Sequence, residues 1–470
     1  MTVDARGLSM TGSPEAAQRY EQAVDHLIRF QPEVADAGAA AVAADPSCVM
    51  AKVFCAYLAL MSTEEGAVAE ARDALGGLHA GDMAATMLPR ERAHLAAAER
   101  WIDGDMAAAG TMLGDISVEY PRDLLALSVG HQIDFFTGDA VTLRDRIGRA
   151  IGGWRPDDTQ LGFVRGMYAF GLEETNLYQQ SEEVGHAAVE RNPDDVWGIH
   201  AVVHTYEMAG RIPDGVRFMR GREADWQLGN FLNVHNSWHY ALYLLQGGDP
   251  DGALAMYDRM IRHAGSQDAA LELVDAAALL WRMHLEGTPV GDRWRPLTAA
   301  WASILRPGFY PFNDMHAVMS FVGNGELERA EDVVRELEDV VSRPVASSTG
   351  WAMTELIGLP VCRSIVRFGR GEYDSAIADL LPIRTRVHRF GGSHAQRDAV
   401  ERTLLEAATR AGRLELASAL VSERLSVREC NTYAWSKRAW LRNVAGDQDG
   451  AASALARAGE LAGQIRVAAG

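Results

Sequence analysis

The sequence predicts an all-α fold, a superhelical solenoid of antiparallel helical hairpins. Three observations carry this: a turn signal that recurs along the 470 residues, amphipathic Ala- and Leu-rich segments on either side of it, and no strand-like alternation bounded by hairpin turns. The turn is seen in WIDGDMAAAGTML from Trp101, FFTGDAVTLRDRI from Phe135, LLQGGDPDGALAMYDRMI from Leu244, FVGNGELERAEDVVREL from Phe321, FGRGEYDSAIADLL from Phe368, AGRLELASALVSERL from Ala411 and VAGDQDGAASALARA from Val444. In each, a helix runs into a glycine and a new helix begins at once after an acidic or polar residue. Glycine suits the left-handed position past a helix end, the acid caps the next helix and meets its positive pole, and so short a link forces the two helices antiparallel.

Helices also stop at Asp45–Pro46 and Asn192–Pro193, where tetratricopeptide arrays often place a proline. The hairpins are therefore read as tetratricopeptide-like and divided into three regions. Residues 1–160 form N-terminal hairpins, 161–400 form central repeats rich in His, Asn and Asp around a pocket, and 401–470 form C-terminal capping hairpins. Glu223–Val234, Thr288–Pro296 and Arg306–Asn313 carry more Trp, Pro and Gly than a clean repeat, and are read as insertions that narrow the concave groove. The runs LERAEDVVRELEDVV and EEGAVAEARDAL read as solvated outer faces.

Composition narrows the function. Hydrophobic residues make up 48% and charged residues 23%, enough to build a large core. The net charge of −19, from 45 basic and 64 acidic residues without a basic cluster, repels nucleic acid and anionic membranes. Cys48, Cys55, Cys362 and Cys430 show no CxxC spacing and are expected to be reduced, buried thiols. With no secretory signal in Met1–Glu15 and no long apolar span, the expected location is the cytoplasm. There is no phosphate loop, GxSxG elbow or dinucleotide fingerprint, so no nucleotide cofactor is expected.

Two histidine pairs stand out, His200 with His204 in IHAVVHTYEM and His235 with His239 in VHNSWHYALYLL. The i,i+4 spacing puts both imidazoles of a pair on one helical face, and the 14 histidines would give roughly 0.4 such pairs by chance. Each pair precedes a glycine turn, at Gly210 and at Gly247–Gly248, so both lie on first helices, which line the concave surface. Imidazoles at this spacing suit zinc or iron, and Glu207, one turn after His204, completes a ligand set of His200, His204, Glu207, His235 and His239. The HExxH pattern of metalloproteases is absent, because Ala201 and Asn236 occupy the position of its glutamate. Packing between hairpins is the plainer role for the same histidines and for Trp197, Tyr206, Trp238 and Tyr240.

Other polar residues fall at inward positions: Glu174 and Asn176 in EETNLY, Asp275 in LVDAAALLW, and Asn313, Asp314 and His316 in PFNDMHAVMS. An acid in the middle of an apolar helix, as Asp275 is, must be paired, protonated or bound. In RFGGSHAQRDAV a capping Ser precedes a first helical turn carrying His394, Gln396, Arg397 and Asp398, a ready anion site or a simple cap with an Arg–Asp pair.

The blocks ETNLY, HAVVHTYEM, HNSWHYALYLL, LVDAAALLWRMHLEG, FNDMH and LLPIRTRV followed by GGSHAQRD resemble, in that order, the tetratricopeptide-repeat protein 38 family. The likeness is strongest from Arg165 to Val400, with weaker agreement in AADPSCVMAK and RERAHLAAAERWIDGD. It implies a soluble superhelix of hairpins and assigns no reaction. Animal members of the family carry Asn where this chain has His394, which counts against His394 as an obligatory catalytic group.

The leading expectation is a small-molecule site in the concave centre. His204, His235 and His239 act there as acid/base groups or metal ligands, oriented by Glu207, Asp275 and Asp314. Glu174, Asn176, Asn236, Trp238, Asn313, His316, Gln396, Arg397 and Asp398 line it, with Arg397 on an anionic group. A divalent metal and a metal-free His–carboxylate base remain open alternatives, and a homo-oligomer is compatible with the fold. The second expectation is a non-catalytic scaffold holding a peptide in its groove.

Overall fold

The glycine turns behave as their sequence requires. At all seven, the glycine takes a positive φ, for example 69° at Gly138 and 72° at Gly248, and the following Asp139 and Asp249 cap the next helix through their side chains. The structure is a computed structural model that describes residues 2–79 and 81–470. It is an all-α solenoid of helical hairpins, and helices also end at Asp45 and Asn192, the residues before the two prolines. The one departure from helix among the described residues is a short ribbon, Thr2–Val3 against Ser9–Met10, turned by Asp4, whose carboxylate accepts from the amides of Arg6 and Leu8.

Two layers follow from burial. Outer helices are amphipathic: Leu327–Ser342 buries only Ala330, Val333, Val334 and Leu337, a single i,i+3,i+4,i+7 stripe. Inner helices are more deeply buried, and every residue of Val196–Met208 is buried. In the central region the inner layer runs Leu161–Glu174, Val196–Met208, Asn233–Gln246, Ala270–Leu285, Pro311–Gly323, Leu359–Gly369 and His394–Arg410, each packed on the next. The last of these reaches back to Ala270–Leu285 and Val196–Met208, so the inner layer curls around an interior instead of extending in line.

N-terminal hairpins close that interior. The Phe231 amide donates to the Phe30 carbonyl at 2.9 Å, Asn313 donates to the Thr63 carbonyl at 3.0 Å, and the Tyr310 hydroxyl donates to the Phe136 carbonyl at 3.1 Å. The Glu223–Val234 and Arg306–Asn313 insertions supply all three of these contacts. No helix among the described residues is long and apolar enough to cross a membrane. The four thiols are free, but only Cys48 and Cys362 are buried, since Cys55 and Cys430 lie at partly open positions between helices.

Gly138 tests the turn argument. A Cβ there would collide with the His388 carbonyl, whereas at Gly371, also at positive φ, it would meet nothing. Urea unfolding should show Gly371→Ala costing about 1 kcal/mol, the left-handed penalty alone. Gly138→Ala should cost about 2–4 kcal/mol because the 384–390 segment must also move.

Candidate functional site

The helix Val196–Met208 starts where Asp195 accepts the Gly198 amide at 2.9 Å, and that register turns His200 and His204 toward the helix Asn233–Gln246. There His235 and His239 face them. The four rings form a closed quadrilateral: centroids lie 4.4 Å apart for His200–His204, 4.3 Å for His204–His239, 4.8 Å for His239–His235 and 4.8 Å for His235–His200. One nitrogen from each ring lies within 4.8 Å of all the others, and the Nε2 atoms of His200 and His235 are 3.0 Å apart. For bonds of about 2.0–2.1 Å, two ligands at right angles to each other on one ion are about 2.9 Å apart.

Carboxylates stand behind three of the rings. Asp275 takes the Nδ1 of His235 at 2.8 Å, Glu207 takes the Nδ1 of His239 at 3.1 Å, and Glu173 lies 3.6 Å from the Nδ1 of His204. A proton held on Nδ1 by a carboxylate leaves the Nε2 lone pair free, and in His235 and His239 that atom faces the cluster. Among the described residues, the Nε2 atoms of His204 and His239 have no hydrogen-bond partner although both are buried. Convergent lone pairs backed by carboxylates are the pattern of an imidazole metal centre with its outer shell in place.

Aromatic walls keep water out. Trp197 lies 4.7 Å from His200, Phe170 lies 5.0 Å from His200 and 5.3 Å from His204, and Trp238 stacks on His235 at 5.4 Å. Three of the four imidazole side chains are at most about 1% exposed, whereas that of His235 is 15% exposed, so approach is from its side.

Burial, then the neighbouring imidazoles, hold His200 and His204 far below the ordinary histidine range. Burial, then His235 and Arg282, do the same to His239. These rings are neutral and able to ligate. Burial also pushes Glu207 up to about 7 and, with Glu174 beside it, Glu173 to about 7.

A second group, Glu173, Glu174 and His394, adjoins the first through His204. It is charge-balanced. Burial would lower His394, but Glu174 and Glu173, each 3.5 Å from its Nδ1, raise it; burial would raise Glu174, but His394 and Arg397 hold it below its usual value. Glu173 was not apparent from sequence; the signal available was its place one turn after Phe170 on the same buried face.

The remaining expected site residues are placed as follows. Glu174 accepts from Arg397 at 3.1 Å and from the His394 amide at 2.8 Å, so Arg397 spends its charge within the protein. Asn176 corrects the inward reading: it is exposed, at φ 63°, in the turn after Leu161–Glu174. Asn236 and Trp238 are fully buried beside the histidines, and Asn236 donates weakly to the Val196 carbonyl at 3.5 Å. Gln396 forms a capping box with Ser393. Asp398 is the hub of an arginine cluster, taking Arg402 at 2.8 Å and Arg428 at 3.2 Å together with Arg424, with Arg282 at 3.8 Å. His316 is tied to the Phe312 carbonyl at 2.7 Å. Asn313 and Asp314 are drawn away from the histidines: Asn313 binds Thr63, and Asp314 accepts the Gly308 amide at 2.9 Å, fixing the Arg306–Asn313 insertion.

No family model matches the chain, so its likeness to the tetratricopeptide-repeat protein 38 family rests on the sequence blocks alone. Among solved structures it is similar to a monomeric mutant of IFIT1 with Gppp-AAAA, at 13% identity and a TM-score of 0.39, covering 98% of this chain and 96% of that one. It is also similar to the Cut9–Hcn1 hetero-tetramer of APC/C, at 12% identity and a TM-score of 0.29, covering 97% of this chain and 96% of that one. Scores this low decide nothing about the site.

Asp314 offers a test with a definite sign. Burial pushes it up to about 8, far above its unfolded value of about 3.9, so between these pH values the folded chain holds a proton that the unfolded chain has lost. Its contribution to stability therefore falls as pH rises from about 4 to about 8. Asp314→Asn keeps an acceptor for the Gly308 amide and removes the titration. The variant's stability relative to the parent should rise across that window, reaching a gain of a kilocalorie per mole or more at pH 8; a flat difference would mean that Asp314 is ionised in the fold.

Proposed function

We propose that His200, His204, His235 and His239 bind one divalent first-row transition-metal ion, and that the protein uses it to act on a small molecule. The observation that carries this reading is the convergence of four ring nitrogens, three of them on buried rings and two without hydrogen-bond partners, with Asp275, Glu207 and Glu173 beside them. Imidazole sets of this kind suit Fe, Ni, Cu or Zn. Four imidazoles fill a tetrahedral shell, so an ion that accepts a fifth or sixth ligand is the one that leaves room for substrate. The 3.0 Å separation of the His200 and His235 nitrogens favours that wider coordination.

Such an ion polarises a bound carbonyl or lowers the pKa of a bound water. The protein's part is to keep the imidazoles neutral, fix their orientation and exclude bulk water. Asp275, Glu207 and Glu173 are positioning residues; Asp314, bound to its own loop, has no place in the chemistry. A peptide in an open groove is less well supported, because Phe170, Trp197 and Trp238 fill the space around the histidines.

Elemental analysis of protein purified without chelators or a polyhistidine tag should find about one transition-metal ion per chain. His239→Ala should abolish stoichiometric loading with the fold intact by circular dichroism. Glu207→Gln should weaken the ion by about 10–100-fold, as removal of an outer-shell carboxylate does elsewhere. No stoichiometric metal on purification, together with no uptake of Fe, Ni, Cu or Zn by stripped protein, would sink the reading.

A further inference from the structure

Beside the four-histidine centre lies a cavity of about 210 Å³ that neither the ion nor the repeat packing explains. Leu27, Phe30, Met61, Phe163, Met167 and Trp197 form its walls. It is a pocket partly open to solvent, not a sealed void. A cavity of about 150 Å³ lined by apolar side chains is known to hold benzene, so this one suits a molecule of roughly eight to ten non-hydrogen atoms.

Its position relates it to the histidines. Trp197 is shared, with one edge of the indole in the cavity wall and its ring 4.7 Å from His200. Phe231 and Leu271, 43% and 44% exposed, also line it, and each stands four residues before a member of the His235–Asp275 pair. None of the four histidines is among the lining residues, so Trp197 is the side chain through which the cavity meets the centre.

The wall is built under strain. Phe30 has φ 55°, a left-handed backbone that a bulky residue rarely adopts. There its ring stacks on Trp197 at 5.5 Å, nearly parallel, and tilts against Phe231 at 5.3 Å. Backbone strain that the surroundings hold in place clusters at binding sites.

Two polar atoms within the apolar lining lack partners. Asp195, fully buried, spends its Oδ1 on the cap at Gly198 and leaves Oδ2 unbonded, and the Ser128 hydroxyl is likewise unpartnered. A buried carboxylate oxygen without a donor is a standing cost that a ligand hydroxyl removes. Burial also pushes Asp195 up to about 7, against the opposing pull of the Gly198 and Trp197 amides and of Arg29.

We infer that this cavity is the substrate pocket of the four-histidine centre, and that it takes a small, uncharged, mainly apolar molecule carrying one hydroxyl donor that meets Asp195 and Ser128. The inference rests on the proposed metal chemistry for the fate of the bound molecule, but binding itself needs only the cavity. A net charge of −19 disfavours anions.

The probes are 2-phenylethanol, ethylbenzene and phenylacetate, titrated by calorimetry and saturation-transfer NMR into metal-stripped full-length protein. 2-Phenylethanol should bind at one site per chain, ethylbenzene at least about fivefold more weakly for want of the hydroxyl, and phenylacetate not at all. Asp195→Asn keeps the helix cap and should erase the preference for alcohol over hydrocarbon. Met167→Trp fills the cavity and should weaken 2-phenylethanol at least about tenfold, with Leu27→Trp on the opposite wall as the second variant if the first unfolds. The inference is overturned by no saturable binding of either neutral probe, by binding that both filling variants leave unchanged, or by a preference for the acid. Because the titrations use stripped protein, such a failure leaves metal loading as a separate question, and failed loading with intact binding would remove only the metal reading.

Discussion

Burial and the repulsion of neighbouring rings disfavour charge on His200, His204 and His239, and the packing around these three rings and His235 follows from that requirement. Asp275 holds the Nδ1 donor of His235 and Glu207 that of His239, and each carboxylate must then be tolerated in an interior that penalises it. Glu207 is tolerated because Arg282 and Arg428 stand nearby, and these arginines in turn converge on Asp398. Glu173 is tolerated beside His394, within reach of Glu174 and Arg397. The polar interior is therefore one graded network, with neutral lone pairs at its centre and fully ionised pairs at its edge.

That grading explains why burial alone did not separate the roles of the central residues. Asp275, Asp314 and Asp398 are all buried acids on inner helices. The first faces an imidazole, the second closes its own loop through the Gly308 amide, and the third gathers arginines. Periodicity reports which face a residue is on. It says nothing of which partner arrives there from another helix.

The parts legible in the sequence are those governed by local chemistry. Glycine at a helix end and an acid at the next helix start act within a few residues, so the hairpin turns could be read directly. The i,i+4 histidine pairs could also be read, because a single helix sets their direction. The pairing of His235 with Asp275 across 40 residues, and of His204 with Glu173 across the hairpin between them, depends on how helices lie beside one another. Asn176 was misread for a different reason: it follows the last turn of its helix, where helical periodicity has ended and a left-handed residue turns the side chain outward.

The contacts that close the interior also change how the chain must fold. In an open repeat array each unit leans only on its neighbours, and the ends can fray while the middle stands. Here Thr63 is bonded to Asn313, Glu64 to the amide of Ala270, Gly104 to the amide of Thr349, and Glu174 to Arg397, so units far apart in sequence depend on each other. Stability is then no longer a sum over adjacent hairpins, and melting becomes a single cooperative event. Closing loops of this length must precede the contacts that reward it, which slows assembly relative to an open array of hairpins.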